Sequence, residues 1–105
     1  MDITLSAKDS SAGRSNLASG TLTSDNTAVA VKLGFKPRFV KVYNATDVII
    51  WEKTGTMADA NAIKVVTAGT TTVDTGSAIV IGADGFTISA TAAGNSKALH
   101  WIAMD

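Results

Sequence analysis

Several residue types that form crosslinks or reactive sites are absent or nearly absent from this sequence. It has no cysteine, a single proline and a single histidine among 105 residues. The lack of cysteine excludes a disulfide framework, a thiolate nucleophile and a cysteine-based zinc site. Packing, alone or together with partners, must therefore stabilise the fold.

Long apolar runs and an excess of one charge are also absent. No run approaches the roughly 20 residues that cross a membrane as a helix, and the N-terminal segment lacks the basic and apolar regions of a secretory signal. We therefore expect no membrane partner and no export by the general route. Nine basic and nine acidic residues give a formal net charge of zero. This argues against nucleic acid as a partner, because phosphate binding needs uncompensated Lys or Arg.

The first part of the chain has the composition of an extended arm. Residues 1–19 are dominated by Ser, Ala, Gly, Asn and charged residues, with Ile3, Leu5 and Leu17 as isolated apolar positions. Such a segment is too polar to fold alone. Two interpretations stay open: a frayed terminus, or an arm that becomes ordered against a neighbour with Ile3 and Leu5 as anchors.

From residue 20 to residue 105 the sequence predicts one β domain. Short apolar or alternating runs are separated by Gly, Asn, Asp and Ser, which is typical of an all-β sandwich or small barrel of about eight or nine short strands. The predicted strands cover residues 27–33, 38–43, 47–53, 62–66, 70–75, 77–82, 85–90 and 98–103. Only residues 56–62 could form a helical turn, and this segment is short enough to be a loop.

Alternation with a period of two predicts which side chains form the core. Pro37 stands at the entry of a strand, where its missing N–H breaks no ladder hydrogen bond. Trp51 and Trp101 could stack on sugars, but each lies within an apolar strand, so core packing is the preferred interpretation. The predicted core consists of Val29, Val31, Val40, Val42, Ile50, Trp51, Ile79, Ile81, Phe86, Ile88, Leu99 and Trp101.

The sequence offers no set of residues for catalysis or metal binding. His100 lies between Leu99 and Trp101 in an apolar strand, and a triad or histidine-based metal site would need partners that the chain lacks. The carboxylates are scattered and stand mostly in turns, where Asp has a local backbone role. We therefore expect a non-enzymatic protein without a cofactor.

One basic cluster stands out. Lys32, Lys36, Arg38 and Lys41 fall within ten residues, with no acidic residue between them. One interpretation is a solvated face on which lysines protect a strand edge. The other is a basic patch that docks on an acidic protein surface. Nucleic acid is disfavoured because no aromatic residues are interleaved for base stacking.

The sequence resembles small virion proteins of tailed bacteriophages, of the head decoration or cement type, over about two-thirds of its length. The resemblance rests on a Gly-Phe-x-Pro-Arg entry into a strand, a Val-x-Val-x-Asn-x-Thr-Asp turn, an aromatic second hairpin strand, a Gly-x-Met loop, an Asp-Gly-Phe-Thr-Ile strand and a closing aromatic strand. In this sequence these are Gly34–Arg38, Val40–Asp47, Ile50–Glu52, Gly55–Met57, Asp84–Ile88 and Leu99–Ala103.

The resemblance implies a β-sandwich or β-barrel that binds the major capsid protein on the outside of the assembled capsid, commonly as a homotrimer on local threefold positions. Its expected location is the virion exterior, after synthesis in the host cytoplasm. Two alternatives stay open: a tail or tail-fibre component, and a non-viral β-sandwich module that binds carbohydrate or protein. The candidate contact residues come from the arm and the basic cluster, and they are Ile3, Leu5, Lys32, Lys36, Arg38 and Lys41.

Overall fold

A computed structural model describes residues 2–4 and 16–105, and these residues form ten strands and one helical turn. The strands are β1 (Asp2–Thr4), β2 (Leu17–Asp25), β3 (Val29–Lys32), β4 (Phe39–Asn44), β5 (Ile49–Thr54), β6 (Ala62–Val65), β7 (Thr71–Asp74), β8 (Ile79–Gly82), β9 (Gly85–Ile88) and β10 (Asn95–Met104). The helical turn α1 spans Ala90–Ala93 and lies between β9 and β10.

The strands form two sheets that pack face to face as a sandwich. One sheet has four strands in the order β1-β3-β9-β8, and the other has six in the order β2-β10-β4-β5-β6-β7. The β1–β3 pair is parallel, whereas the other pairs are antiparallel. Neither sheet closes on itself. The all-β prediction is confirmed, and the sandwich is the form that the chain adopts.

The core lies between the sheets and follows the period-two pattern. Phe86 from the four-stranded sheet meets Trp101 from the six-stranded sheet edge to face, with ring centroids 5.5 Å apart. Ten of the twelve predicted core residues are buried, because Ile50 and Ile81 keep part of their surface exposed. Ile81 still packs against the core. The prediction of Ile50 as a core residue is wrong, since Trp51 is an inward residue of β5 and its neighbour must point outward.

The long C-terminal strand β10 organises the six-stranded sheet, because it pairs with both β2 and β4. The strand β2 begins at Leu17, within the segment 1–19 that the sequence analysis assigns to the arm. Ala18 is buried and lies opposite Ala103. Small residues give this strand a weak hydrophobic period, so its alternation is hard to recognise in the sequence.

Two connections use special backbone positions. The connection from β3 to β4 contains Gly34, whose φ of 85° favours glycine. It also contains Pro37, which is fully buried two residues before β4. Residues 56–62 contain turns and no helix. The helical turn forms instead after Ser89, whose side-chain oxygen accepts a hydrogen bond from the Ala92 amide at 3.1 Å as an N-cap.

Candidate functional site

The six-stranded sheet turns one side toward the core and the other toward solvent. On β4, Val40 and Val42 are buried, so Phe39, Lys41 and Tyr43 point outward. The same alternation holds on the other five strands. We call the outward side chains of these six strands the outer sheet face, and they are Leu17, Ser19, Thr21, Thr23, Phe39, Lys41, Tyr43, Ile50, Glu52, Thr54, Ile63, Val65, Thr71, Val73, Ala98, His100, Ile102 and Met104.

This face is unusually apolar for a surface. Five large hydrophobic residues of the described chain are exposed, and four of them, Leu17, Ile63, Val73 and Met104, belong to the outer sheet face. The most exposed is Val73, at 60%. Single exposed apolar residues are normal on a protein surface, but a contiguous group of them marks an interaction site.

Strand register brings these residues into rows that run across the sheet. One row holds Ser19, Ile102, Lys41, Glu52, Ile63 and Val73, one residue from each strand in spatial order. The next row holds Thr21, His100, Tyr43, Ile50, Val65 and Thr71. In the first row, Ile63 and Val73 are direct neighbours, but Lys41 and Glu52 separate them from Ile102. In the second row, Tyr43, Ile50 and Val65 are direct neighbours, so the apolar contact is continuous only within part of the sheet.

Charge on the outer sheet face is sparse. Lys41 and Glu52 are direct cross-strand partners, and their Nζ and Oε1 atoms are 3.9 Å apart. His100 stacks on the Tyr43 ring, with the ring centroids 6.3 Å apart. A partner surface therefore needs to be apolar and nearly neutral, with one position that accommodates an acid–base pair.

The candidate basic cluster is divided by the fold. Lys32 ends β3 and points away from the four-stranded sheet, whereas Lys41 points away from the six-stranded sheet on the opposite side of the sandwich. Lys36 and Arg38 lie between them in the β3–β4 connection, where they line a shallow groove of about 310 Å³ together with Pro37. The four residues do not form one patch, although Lys32, Lys36 and Arg38 are exposed.

Of the two candidate anchors in the arm, Ile3 lies on β1, where its backbone pairs with Val31 in parallel register. Its neighbour Thr4 pairs with Lys32, so the N-terminal strand lies beside the first residue of the basic cluster. Leu5 lies outside the described residues. The structure therefore brings Ile3 and Lys32 to the same edge of the four-stranded sheet, distant along the fold from Lys41.

A buried lysine is the feature that the sequence analysis missed. Lys53 is 2% exposed, and its ammonium group donates hydrogen bonds to the carbonyl oxygens of Ala58, Asp59 and Asn61 at 2.8, 3.0 and 2.7 Å. Burial lowers the pKa of this ammonium below its usual 10.5, and the charge of Asp59 acts in the opposite direction. Lys53 thus fastens the β5–β6 connection. Lys53 lies two residues after Trp51 and therefore on the same, inward side of β5. This spacing is the sequence signal that indicates its burial.

Both tryptophans are buried in the core at 4% exposure, as predicted, so neither offers an open ring face to a sugar. Trp51 donates its indole N–H to Asp74 Oδ2 at 3.1 Å, and the Lys64 ammonium lies 5.7 Å from the ring centroid. These side chains line a small pocket of about 230 Å³. The indole N–H of Trp51 and the Asp74 carboxylate are thus paired with each other, so they contribute to packing.

In residues 2–4 and 16–105, no three His, Asp or Glu side chains come together as a metal site. The described helical segment is also too short to cross a membrane. No protein-family model matches the chain, and searches of curated proteins and of solved structures find no match either.

Proposed function

We propose that this chain is a non-enzymatic phage structural protein that binds the outside of the assembled capsid and stabilises it. It does so as a homo-oligomer, for which the resemblance to decoration proteins implies three copies. The major capsid protein is the proposed partner, and the virion exterior is the proposed location.

One observation carries the proposal that the chain works inside an assembly: the outer sheet face exposes the large apolar side chains Leu17, Ile63, Val73 and Met104 and holds a single acid–base pair. A patch of this kind marks a protein–protein interaction surface. Burying apolar area is favourable by roughly 25 cal/mol per Å². A chain of this size that keeps such a face on one side is built to function inside an assembly.

The residues that carry the resemblance support the same conclusion, because they form the centre of the fold. Gly34–Arg38 is the connection that enters β4, and Val40–Asp47 with Ile50–Glu52 forms the β4–β5 hairpin. These two strands are the middle pair of the six-stranded sheet. Leu99–Ala103 lies on β10, so the resemblance covers parts of three of the six strands that carry the outer sheet face.

We assign the contact with the capsid to the edge that carries β1, Lys32, Lys36 and Arg38. The Arg38 side chain is 78% exposed, and it forms an ion pair with Asp105, with Nε and Oδ1 3.7 Å apart. Exposed cations of this kind orient an approaching acidic surface and add little to affinity. Several copies of a weak site then raise the overall affinity, since linked sites gain 10²- to 10⁴-fold or so without new contacts.

The test is binding to expanded, empty heads of the encoding phage that were assembled without this protein. We expect saturable co-sedimentation with the heads, at a fixed ratio of copies to capsid protein, and a higher temperature of head disruption. Purified tails in a parallel mixture test the tail alternative. Binding to tails alone, or to neither particle, would contradict the proposal.

A further inference from the structure

The shallow groove beside Pro37 lies where two chain segments meet at one end of the six-stranded sheet. Residues 36–38 of the β3–β4 connection form one wall, and residues 54–56, which lead from β5 into the next turn, form the other. Its volume of about 310 Å³ lies at the lower end of the roughly 300–1,000 Å³ that is usual for small-ligand sites. The groove therefore has room for one or two side chains of a partner.

Backbone hydrogen bonds hold the two walls of the groove together. The Gly55 amide donates to the Arg38 carbonyl oxygen at 2.8 Å, and the Arg38 amide donates to the Met104 carbonyl oxygen at 2.7 Å. The residues that follow the second wall are fixed by Lys53, whose ammonium group binds three of their carbonyl oxygens. The shape of the groove is therefore set before a partner binds, which reduces the entropy cost of binding.

The groove offers apolar surface to a partner. Pro37 is fully buried beneath it, and basic side chains such as Lys36 and Arg38 lay their aliphatic stems along apolar surface while the charged ends stay in water. The hydroxyl oxygens of Thr54 and Thr56 lie 2.9 Å apart and are hydrogen-bonded to each other. An apolar side chain can therefore enter the groove without leaving these hydroxyl groups unpaired.

The rim of the groove is positively charged. Lys36 and Arg38 are both exposed. Arg38 Nε lies 3.7 Å from Asp105 Oδ1, whereas no carboxylate of residues 2–4 and 16–105 forms an ion pair with Lys36. Asp105 offsets one of the two charges, so one positive charge is left for a partner. The group that complements it is a carboxylate.

We propose that this groove binds a segment of the major capsid protein in which an apolar side chain stands beside an Asp or Glu. The apolar side chain lies over Gly55, where no side chain fills the groove, and the carboxylate pairs with Lys36. Burial of the apolar side chain supplies affinity, and the charge pair sets the orientation. The inference rests on the proposed function and narrows its capsid contact from one edge of the sandwich to this groove.

A leucine placed in the groove tests whether a partner occupies it. Gly55→Leu fills the space, and the backbone accepts a side chain there because the atom nearest to an added Cβ would be Arg38 Cα at 3.7 Å. Ala68→Leu is the matched control, because Ala68 lies in the exposed turn between β6 and β7, at the opposite end of the sheet. We expect affinity for empty heads to fall more than about tenfold in Gly55→Leu, since every copy of the contact is weakened, and to stay unchanged in Ala68→Leu.

These measurements separate the groove from the proposed function. If the wild-type protein does not bind heads, the proposed function fails and the inference fails with it. If the wild type binds and Gly55→Leu binds equally well, the groove alone is overturned. An equal loss of affinity in both leucine variants would also overturn it. Circular dichroism melting of each variant shows that the β domain is folded in the binding experiment.

Photo-crosslinking tests the chemistry of the bound segment. The chain has no cysteine, so Thr56→Cys provides a single attachment point for a benzophenone maleimide in the groove. On empty heads, we expect crosslinks to the major capsid protein at a segment where mass spectrometry finds an Asp or Glu beside an apolar residue. The same label on Ala68→Cys should give none. Crosslinks only between copies of this chain, at a capsid segment without a carboxylate, or equally from both positions would overturn the inference.

Discussion

Trp101 on β10 and Gly20 on β2 are direct cross-strand partners, and a Cβ atom added at Gly20 would lie 2.7 Å from Cζ2 of the indole. The ring fills the space that a side chain would take. Its Nε1 is buried without a hydrogen-bond partner in the described part of the chain, so packing holds the ring in place. Glycine at position 20 is a packing requirement.

We therefore predict that Gly20→Ala lowers the free energy of unfolding by about 1–3 kcal/mol, the usual cost of overpacking. Gly55→Ala is the control, because the nearest atom to its added Cβ would be Arg38 Cα at an ordinary 3.7 Å. That control should be neutral or slightly stabilising, since alanine reduces the entropy of the unfolded chain. Urea denaturation measures both variants, and equal effects would contradict the packing argument.

Truncation of the core should separate inward from outward residues. Phe86 is buried against Trp101, and Phe86→Ala should lower the free energy of unfolding by about 3–5 kcal/mol. Ile50→Ala removes a half-buried outward side chain and should cost only about 1–1.5 kcal/mol. Chemical denaturation of both variants checks the order. A cost at Ile50 as large as that at Phe86 would place Ile50 in the core after all.

Period-two alternation predicts most of the core because, in most strands, only one set of alternate residues is apolar and that set faces inward. Val29 with Val31, and Val40 with Val42, are buried as that rule requires. The rule failed at residue 50, where both faces of β5 carry apolar side chains and the apolar pattern alone does not give the phase. The burial of Lys53 was not predicted for a related reason. A lysine is normally a surface residue, and the sequence does not show that three carbonyl oxygens of the β5–β6 connection accept hydrogen bonds from its ammonium group.

The outer sheet face was not predictable from local pattern. Its rows depend on which strands are neighbours, and β2 pairs with β10 although they lie far apart in the sequence. The basic cluster was misleading for the same reason. Lys32 and Lys41 are only nine residues apart, but β3 and β4 belong to different sheets, so these two side chains point away from each other.

Val48 is held in a conformation that its side chain disfavours. Its φ is 57°, and a β-branched residue with positive φ is a steric outlier that costs about 1–3 kcal/mol. The β4–β5 turn enforces this backbone. Asn44 Oδ1 accepts a hydrogen bond from the Asp47 amide at 3.0 Å, and the Thr67 hydroxyl donates to the Asp47 carbonyl oxygen at 2.9 Å.

Val48→Asn should therefore raise the free energy of unfolding by about 1 kcal/mol, because Asn tolerates positive φ. Val73 is the matched control, since it is also an exposed valine but lies in the extended strand β7. Val73→Asn should lower stability by about 0.5–1 kcal/mol, because Asn is a poor strand former. Thermal unfolding of both variants provides the measurement, and effects of the same sign would refute the strain at residue 48.

The three carbonyl bonds of Lys53 should stabilise the β5–β6 connection. Lys53→Met removes the donors while it keeps most of the side-chain volume, and leaving polar groups unpaired costs about 1–3 kcal/mol. We expect lower stability and faster hydrogen exchange of the Asn61 amide, which bonds to the Ala58 carbonyl within this connection. Lys41→Met is the control on the solvent side of the same sheet. Unchanged exchange at Asn61 would mean that Lys53 does not hold the connection.

Stability should also depend on pH through Lys53. The folded-state pKa of Lys53 lies below 10.5. At a pH between the folded-state pKa and 10.5, Lys53 is therefore more protonated in the unfolded chain than in the folded chain. The contribution of Lys53 to the free energy of unfolding therefore increases with pH through this window and is lost as the pH falls through the folded-state pKa. The stability difference between the wild type and Lys53→Met should grow as the pH rises toward 10.5. A difference that stays constant with pH would contradict the burial of this charge.

Removal of the N-terminal segment should separate folding from attachment to the capsid. A deletion of residues 2–15 spares β2 and all buried residues of the described core, so the shortened chain should keep its β spectrum and its mass in solution. It also removes β1 from its place beside Lys32 on β3. We expect affinity for empty heads to fall more than about tenfold, because several copies of the same contact are lost together. Lys36→Glu with Arg38→Glu should weaken attachment less, and mainly at low salt. At an ionic strength of 0.1 M, exposed charges that lie more than about 10 Å apart are largely screened from each other. A shortened protein that saturates heads with unchanged affinity would place the contact on the β domain instead.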